Sequence, residues 1–286
     1  MRQNYAALII DLKKSRSYSA ETRNLIQYFI EEIIHKLNCI YHNDIIRDVD
    51  FSAGDEIQGL FRSPEAAYIY YRMVSMWLHP IKTRAGIGVG SWDVQLENKG
   101  TTGQDGRAYH NARFAINHAD EIEGYPVLIY SESRTDIMIN TVIGAAASIM
   151  TKQTVNQNHV MLITELLFPI YSDYTCSLSL NDLNEILPLL WRKNDFDHRI
   201  DKVTKALPLD HIDPNMMDIL GPINALEAGE DDSFFITNGR QRGIPTKLAN
   251  ILGVSRQTVE KTLKTGNIFT ARNMAIAAIK DMNYIR

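Results

Sequence analysis

DVDFSAGDEIQGLF, Asp48–Phe61, decides the fold when it is set beside YAALIIDLKKSR, Tyr5–Arg16. In the later stretch, β-branched and aromatic residues flank Ala53-Gly54-Asp55. There glycine supplies a positive φ and aspartate can bond its own backbone, so the segment reads as a hairpin of strands 45–52 and 56–61. The earlier stretch is an apolar run that ends at Asp11 and reads as a strand over 5–11. If that strand neighbours the hairpin, Asp11 comes beside Asp55, 44 residues further on. Two acids so placed can share divalent ions. Mg²⁺ or Mn²⁺ takes oxygen ligands from carboxylates, water and phosphate. Two such ions about 4 Å apart can activate an attacking hydroxyl and steady a leaving pyrophosphate. The same Ala-Gly-Asp-Glu run is also an ordinary turn, and both readings stay open on this stretch alone.

Working outward, helical spacing of Leu25, Ile26, Phe29, Ile30, Ile33, Ile34 and Leu37 predicts a helix over 20–38, and Ser63-Pro64 opens another over 64–78. A strand over 81–90, a helix over 107–119, a strand over 126–130 and a helix near 134–151 complete a β-α-β-β-α-β core of split type. Met73, Met76 and Trp77 read as core residues. Gly86, Gly88 and Gly90 let another backbone or a ligand approach the strand. The Gly-rich run TTGQDGRAYHNARFAINHA leads into a helix with Ala108, Ala112 and Ala115 on its packing side, and such an N-terminus can offer amides to phosphate. Ser15 and Arg16, just past the first acid, suit phosphate as well as they suit a solvated loop. Gly54 would let a ligand close on the hairpin. Gln58 reads as a polar surface position, and Glu56 points away from Asp55 and is not read as a metal ligand.

PTKLANILGVSRQTVEKTLK, residues 245–264, carries Ala249, Gly253, Val254, Val259 and Leu263 where a helix-turn-helix needs a small contact residue, a turn glycine and apolar anchors. Ser255 then caps the recognition helix. Arg256, Gln257, Thr258, Lys261 and Lys264, with Lys247 from the preceding helix, become candidate contacts to duplex DNA. Residues 241–286 hold 8 Lys and Arg against 2 Asp and Glu, a net +6, which leaves −10 on the first 240 residues of a chain whose net charge is −4. The positive charge is therefore local, as phosphate attraction requires. Residues 174–240 are acidic and read as a mainly helical insertion that thickens the C-terminal part, binds a partner or covers the helix-turn-helix, with breakers at Pro188, Pro208, Pro214, Gly221 and Pro222.

At 286 residues and 45% apolar content, the chain suits two domains, 1–150 and 151–286. No apolar run has membrane-spanning length, and Asp11 interrupts any signal-peptide reading, so a cytoplasmic protein with no membrane partner is expected. Cys39 and Cys176 are far apart in sequence and indicate neither a disulfide framework nor a zinc site.

In this order, IIDLKKSR, GDEIQGLF, RAGIGVG and GQDGRAYHNARFA resemble the SatD family of bacterial proteins, over about residues 5–131 and again near the C-terminus. That resemblance implies an α+β fold: a ferredoxin-like, nucleotide-cyclase-like palm domain, similar also to GGDEF-type enzymes, followed by a mainly helical domain with a helix-turn-helix. It further implies that Asp11 and Asp55 are the metal carboxylates and that Arg113 falls where cyclases keep an arginine for the triphosphate. Tyr109 stands where cyclases place a transition-state asparagine, with Asn111 two residues away, a departure that weighs against ordinary cyclase turnover. The reading that follows is a bacterial DNA-binding regulator, working as a homodimer, whose palm binds a nucleoside triphosphate or other nucleotide with metal. The alternatives are an active Mg²⁺-dependent nucleotidyltransferase or cyclase, and a non-catalytic interaction module.

Overall fold

The first apolar run forms β1 (Tyr5–Leu12), and its hydrophobicity is continuous rather than alternating because both of its faces are covered. Ser19 caps α1 (Ala20–Ile40) by accepting the Thr22 N–H at 3.1 Å. The hairpin follows as β2 (Ile45–Ala53) and β3 (Glu56–Phe61), turning on Gly54 at φ 65°. Ser63 caps α2 (Pro64–Leu78), and β4 (Thr83–Gly90), α3 (Arg107–His118) and β5 (Val127–Tyr130) come next. The computed structural model describes residues 4–96, 100–119, 121, 123–201, 207, 209–229 and 234–285.

The strands form one mixed sheet of order β2-β3-β1-β4-β5, antiparallel except for the β4–β5 pair. The first four are joined as β-α-β-β-α-β, so each βαβ unit is split by a strand of the other. Leu8, Ile10 and Leu12 lie in one apolar cluster with Ile26, Phe29, Ile30 and Val74 of α1 and α2. Ala7 and Ile9 alternate to the other face, against Ala108, Tyr109, Ala112 and Ile116 of α3. Gln58 is not the surface residue that its polarity suggested: it is 8% exposed, because the turn at Thr101–Gly103 covers it and the Thr101 carbonyl accepts its Nε2–H at 3.1 Å.

The remainder is mainly helical: α4 (Asp136–Thr151), α5 (Val155–Leu167), α6 (Leu180–Asp201), α7 (Ile244–Leu252), α8 (Arg256–Thr265) and α9 (Ile268–Met282), with a two-residue parallel ladder of β6 (Ile170–Tyr171) and β7 (Ile223–Asn224). Among the described residues no helix is long and apolar enough to cross a membrane. Pro188 does not break α6. Burial of Leu183, Ile186, Leu187, Leu190 and Phe196 offsets the roughly 3 kcal/mol that an interior proline costs. This helix also does more than thicken the C-terminal part: Phe196 stacks on Phe29 of α1 at 4.4 Å, and Glu185 accepts from Lys36.

Nearly every residue of α5 is buried, and it carries a charge into the core. Glu165 Oε2 takes Arg72 Nη2 of α2 at 3.2 Å and Arg272 Nη1 of α9. The rest of the Arg272 guanidinium donates to the Phe168 carbonyl at 2.5 Å and the Gly239 carbonyl at 3.2 Å. Removing one member of such a group strands the others without a counter-charge. Glu165→Ala is expected to cost about 3–5 kcal/mol, read as a fall in the urea unfolding midpoint at unchanged slope. A loss below about 1 kcal/mol would show that the buried charges do not hold these helices together.

Candidate functional site

At the open end of the sheet the chain leaves β1 through Lys14, which adopts a left-handed φ of 57°, and closes one 3-10 turn, Ser15–Ser17. A non-glycine residue in that region redirects the backbone sharply. Here the redirection carries Ser15 and Arg16 back over the N-terminal part of α1. They line a pocket of about 250 Å³ with Tyr18, Arg23 and Gln27 on one side and Gly54 and Asp55 of the hairpin turn on the other. Asp55 Oδ2 is buried and accepts no hydrogen bond there. Arg16 and Arg23 make no ion pair among the described residues. Gln27 and Gly54 continue into an adjoining groove of about 330 Å³ walled by Asn24, Tyr28, Glu31 and Phe51. The pocket thus offers two guanidinium groups and a hydroxyl to an anion, and one unsatisfied carboxylate oxygen to a cation or donor.

Asp11 lies beyond the pocket lining. It pairs across β1–β4 with Arg84, whose Nε and Nη2 donate to Oδ2 at 2.8 and 2.7 Å. Glu56, the first residue of β3, accepts both Nη groups of Arg113 from α3, at 2.5 and 2.8 Å, together with the Ser52 hydroxyl at 2.7 Å. Both carboxylates are largely covered, 19% and 15% exposed. Burial pushes the Glu56 carboxyl up, but hydrogen bonds from Arg113 and Ser52 and the charges of Arg113 and Arg84 outweigh it and hold the group below its usual range. Arg113 in turn is held charged by its bonds to Glu56, against its burial, and by the charges of Glu56 and Asp11. The result is an array of two acids and two arginines across β1, β3, β4 and α3.

The structure therefore brings Ser15, Arg16, Gly54 and Asp55 together in one pocket, and sets Asp11 in the neighbouring ion-pair array. Tyr109 and Asn111 go elsewhere. The Tyr109 ring belongs to the apolar cluster between α3 and the sheet, burial raises its phenol pKa, and Asn111 Nδ2 donates to the Val89 carbonyl at 2.8 Å. A divalent ion at the two aspartates fits in part. The donors are hard oxygens and Asp55 Oδ2 is free, but Arg84 already holds Asp11 Oδ2, and no cluster of three or more His, Cys, Asp or Glu holds such a site among the described residues. Sequence reasoning missed Arg23, Arg84 and the pairing of Glu56 with Arg113. Arg23 had a signal, since it lies three residues before buried Ile26 on the same helix face; the pairings had none.

The basic end of the chain forms a second candidate surface. Gly253, at φ 61°, ends α7, and Ser255 caps α8 by accepting the Thr258 N–H at 3.1 Å and meeting its hydroxyl at 2.8 Å. Val259 and Leu263 are buried, whereas Arg256, Gln257, Thr258, Lys261 and Lys264 are exposed on α8 and Lys247 is half-buried on α7. Arg256 is paired along its helix with Glu260 at 2.8 Å.

A family model described as the SatD family matches residues 5–190. No curated protein matches the chain. Among solved structures, the chain is similar to that of a bacterial light-regulated adenylyl cyclase, with 12% identity, 46% of this chain and 78% of that chain covered, and a TM-score of 0.34.

The β4 glycines position α3, and with it Arg113. A Cβ on Gly88 would stand 2.0 Å from Ala112 N and 2.2 Å from Ala108 O, and one on Gly86 would stand 2.3 Å from Ala112 O. Gly88→Ala must therefore lift α3, at a cost of about 1–3 kcal/mol. Chemical denaturation measures this, with Gly54→Ala as the comparison. That glycine has open space around it, so replacing it leaves only the roughly 1 kcal/mol strain of a positive φ. Wild-type stability in Gly88→Ala would refute the close docking of α3.

Proposed function

The chain belongs to the SatD family, and we propose that it is a DNA-binding regulator whose first part, residues 1–150, is a cyclase-like palm that binds a nucleoside triphosphate with divalent metal. One observation carries the nucleotide half: Ser15, Arg16, Arg23 and Asp55, drawn from a loop, a helix and a hairpin, converge on one pocket in which the Asp55 oxygen has no partner. Arginine forks and a hydroxyl suit phosphate oxygens. Asp55 and Asp11 would hold Mg²⁺ or Mn²⁺, whose chemistry there is to neutralise phosphate charge. Turnover is not part of this reading, because Tyr109 and Asn111 are committed to the packing of α3.

The DNA half rests on the exposed polar face of α8 and on the net positive charge of residues 241–286, within a C-terminal part over 151–286. Read as a helix-turn-helix, α7 and α8 place the N-terminal end of α8 toward base edges and its lysines toward phosphate. One such helix offers few contacts, so two copies related by a dyad would read half-sites, and such a protein works in the cytoplasm of a bacterium.

Titration calorimetry with ATP and with GTP, each with and without Mg²⁺, tests the pocket. Metal-dependent binding is expected in the wild type and its loss in the Asp11→Asn, Asp55→Asn double variant; equal affinity in both proteins would remove the metal from the proposal. Selection from a random duplex pool tests the DNA half. An enriched motif is expected, and Lys261→Ala with Lys264→Ala should lower the slope of log affinity against log salt by about 1.8, or 0.9 per phosphate contact. Recovery of no motif, with identical slopes, would assign α7 and α8 to packing or to a protein partner.

A further inference from the structure

The segment that enters α7 is fixed in place. Gly239 N–H donates to Asn273 Oδ1 at 2.8 Å, its carbonyl accepts from buried Arg272, and Gln241 Nε2 donates to the Gly221 carbonyl at 3.1 Å. A side chain at Gly239 would collide with Asn273 and Arg272, with a Cβ only 2.6 Å from Asn273 Oδ1, so this stretch lies directly on α9. Arg240 and Arg242 emerge from it exposed, and the Arg240 guanidinium stands 5.9 Å from the centre of the Phe269 ring. Both arginines line one concavity of about 740 Å³ with Arg256 and Lys264 of α8. Among the described residues Glu260 is the one acid on that lining, and it is paired with Arg256. Four cations against one carboxylate give these described lining residues a net +3.

From this we infer that Arg240 and Arg242 form a phosphate clamp for the backbone of duplex DNA, in a groove that they share with Arg256 and Lys264. The inference rests on the DNA-binding reading of α8 and extends it to residues outside the helix-turn-helix. The exposure of all four cations favours a polyanion over a small anion. An enclosed site would desolvate its cations around one ligand, whereas these stay hydrated, as partners of a hydrated, wet backbone do. Arg256 and Lys264 are eight residues apart, a rise of about 12 Å along α8, and the backbone charge of one DNA strand repeats every ~3.4 Å along the axis. The row is therefore long enough to meet more than one phosphate. Because residues 239–241 are tied down, the backbone beside these arginines is already ordered before binding, unlike that of a loose arm, and only the side chains lose freedom. Phosphate contacts carry no sequence information, so this clamp sets affinity and register while the N-terminal end of α8 sets preference.

The test is salt-dependent binding of a selected duplex and of a random-sequence duplex by the full chain and by two double variants. Arg240→Ala with Arg242→Ala should lower the salt slope by about 1.8 on both duplexes and leave their affinity ratio unchanged. Arg240→Lys with Arg242→Lys, which keeps the charge, should restore most of the slope. Matching far-UV circular dichroism and thermal midpoints establish that each variant is folded. If the wild type binds duplex but the Ala variant keeps its slope and affinity, the clamp is wrong and the DNA reading stands. If the wild type binds no duplex, the DNA reading fails and takes the clamp with it. Displacement of the duplex by inorganic triphosphate at concentrations equal to the protein would overturn the clamp in favour of a small-anion site.

Discussion

A single carboxylate, that of Glu165, meets a buried arginine from the sheet side of the molecule and another from the C-terminal side. Neither Arg72 nor Arg272 could stay buried and charged without it. Arg272 also holds the Phe168 and Gly239 carbonyls, so the same guanidinium fixes the end of α5 and the segment that leads into α7. This charge balance thus links the basic surface to the sheet, alongside the shared apolar core. The second buried polar group reinforces it: Lys193 of α6 is held by Asp197 at 2.5 Å and donates to the His79 carbonyl, and Asp197 in turn meets His159 of α5 at 2.6 Å. Burial lowers the His79 pKa to about 4, further assisted by the Lys193 charge, so this junction is built around a neutral imidazole at ordinary pH.

The end of the sheet is organised differently, by half-exposed arginines set against largely covered carboxylates. On the α1 side lies a pocket with two unpaired arginines and a carboxylate oxygen short of a partner; beside it, two further acids are each closed by their own arginine. In each pair the arginine is half-exposed, so these ion pairs lie nearer to solvent than the Glu165 group. The charged groups at this end therefore form two adjoining sets, one lining the pocket and one paired across the strands.

The strands, the hairpin and most helices were legible because their signals are local: a Gly-Asp turn, a Ser-Pro helix start, apolar residues at helical spacing. Gln58 was misread because the turn that covers it comes from residues 101–103, a contact that no local pattern encodes. Pro188 was misread for a related reason, since the packing of α6 against α1 overrides a helix breaker. At the site, sequence proposed Asp11 and Asp55 as neighbours but could not show that Arg84 occupies Asp11 or that Arg113 reaches Glu56. Such partners are set by strand register and by the docking of α3, both long-range facts. The alternative left open at the β4 glycines resolves toward the helix backbone.

That close contact has a consequence for access. Where helix backbone fills the space that side chains would take, the seam between α3 and β4 has no free volume, and no molecule can wedge into it without first detaching the helix. The sheet is thereby sealed along the middle of one broad side. The pocket that holds Arg16, Arg23 and Asp55 lies away from that seam, at the end where β1 stops and the hairpin turns.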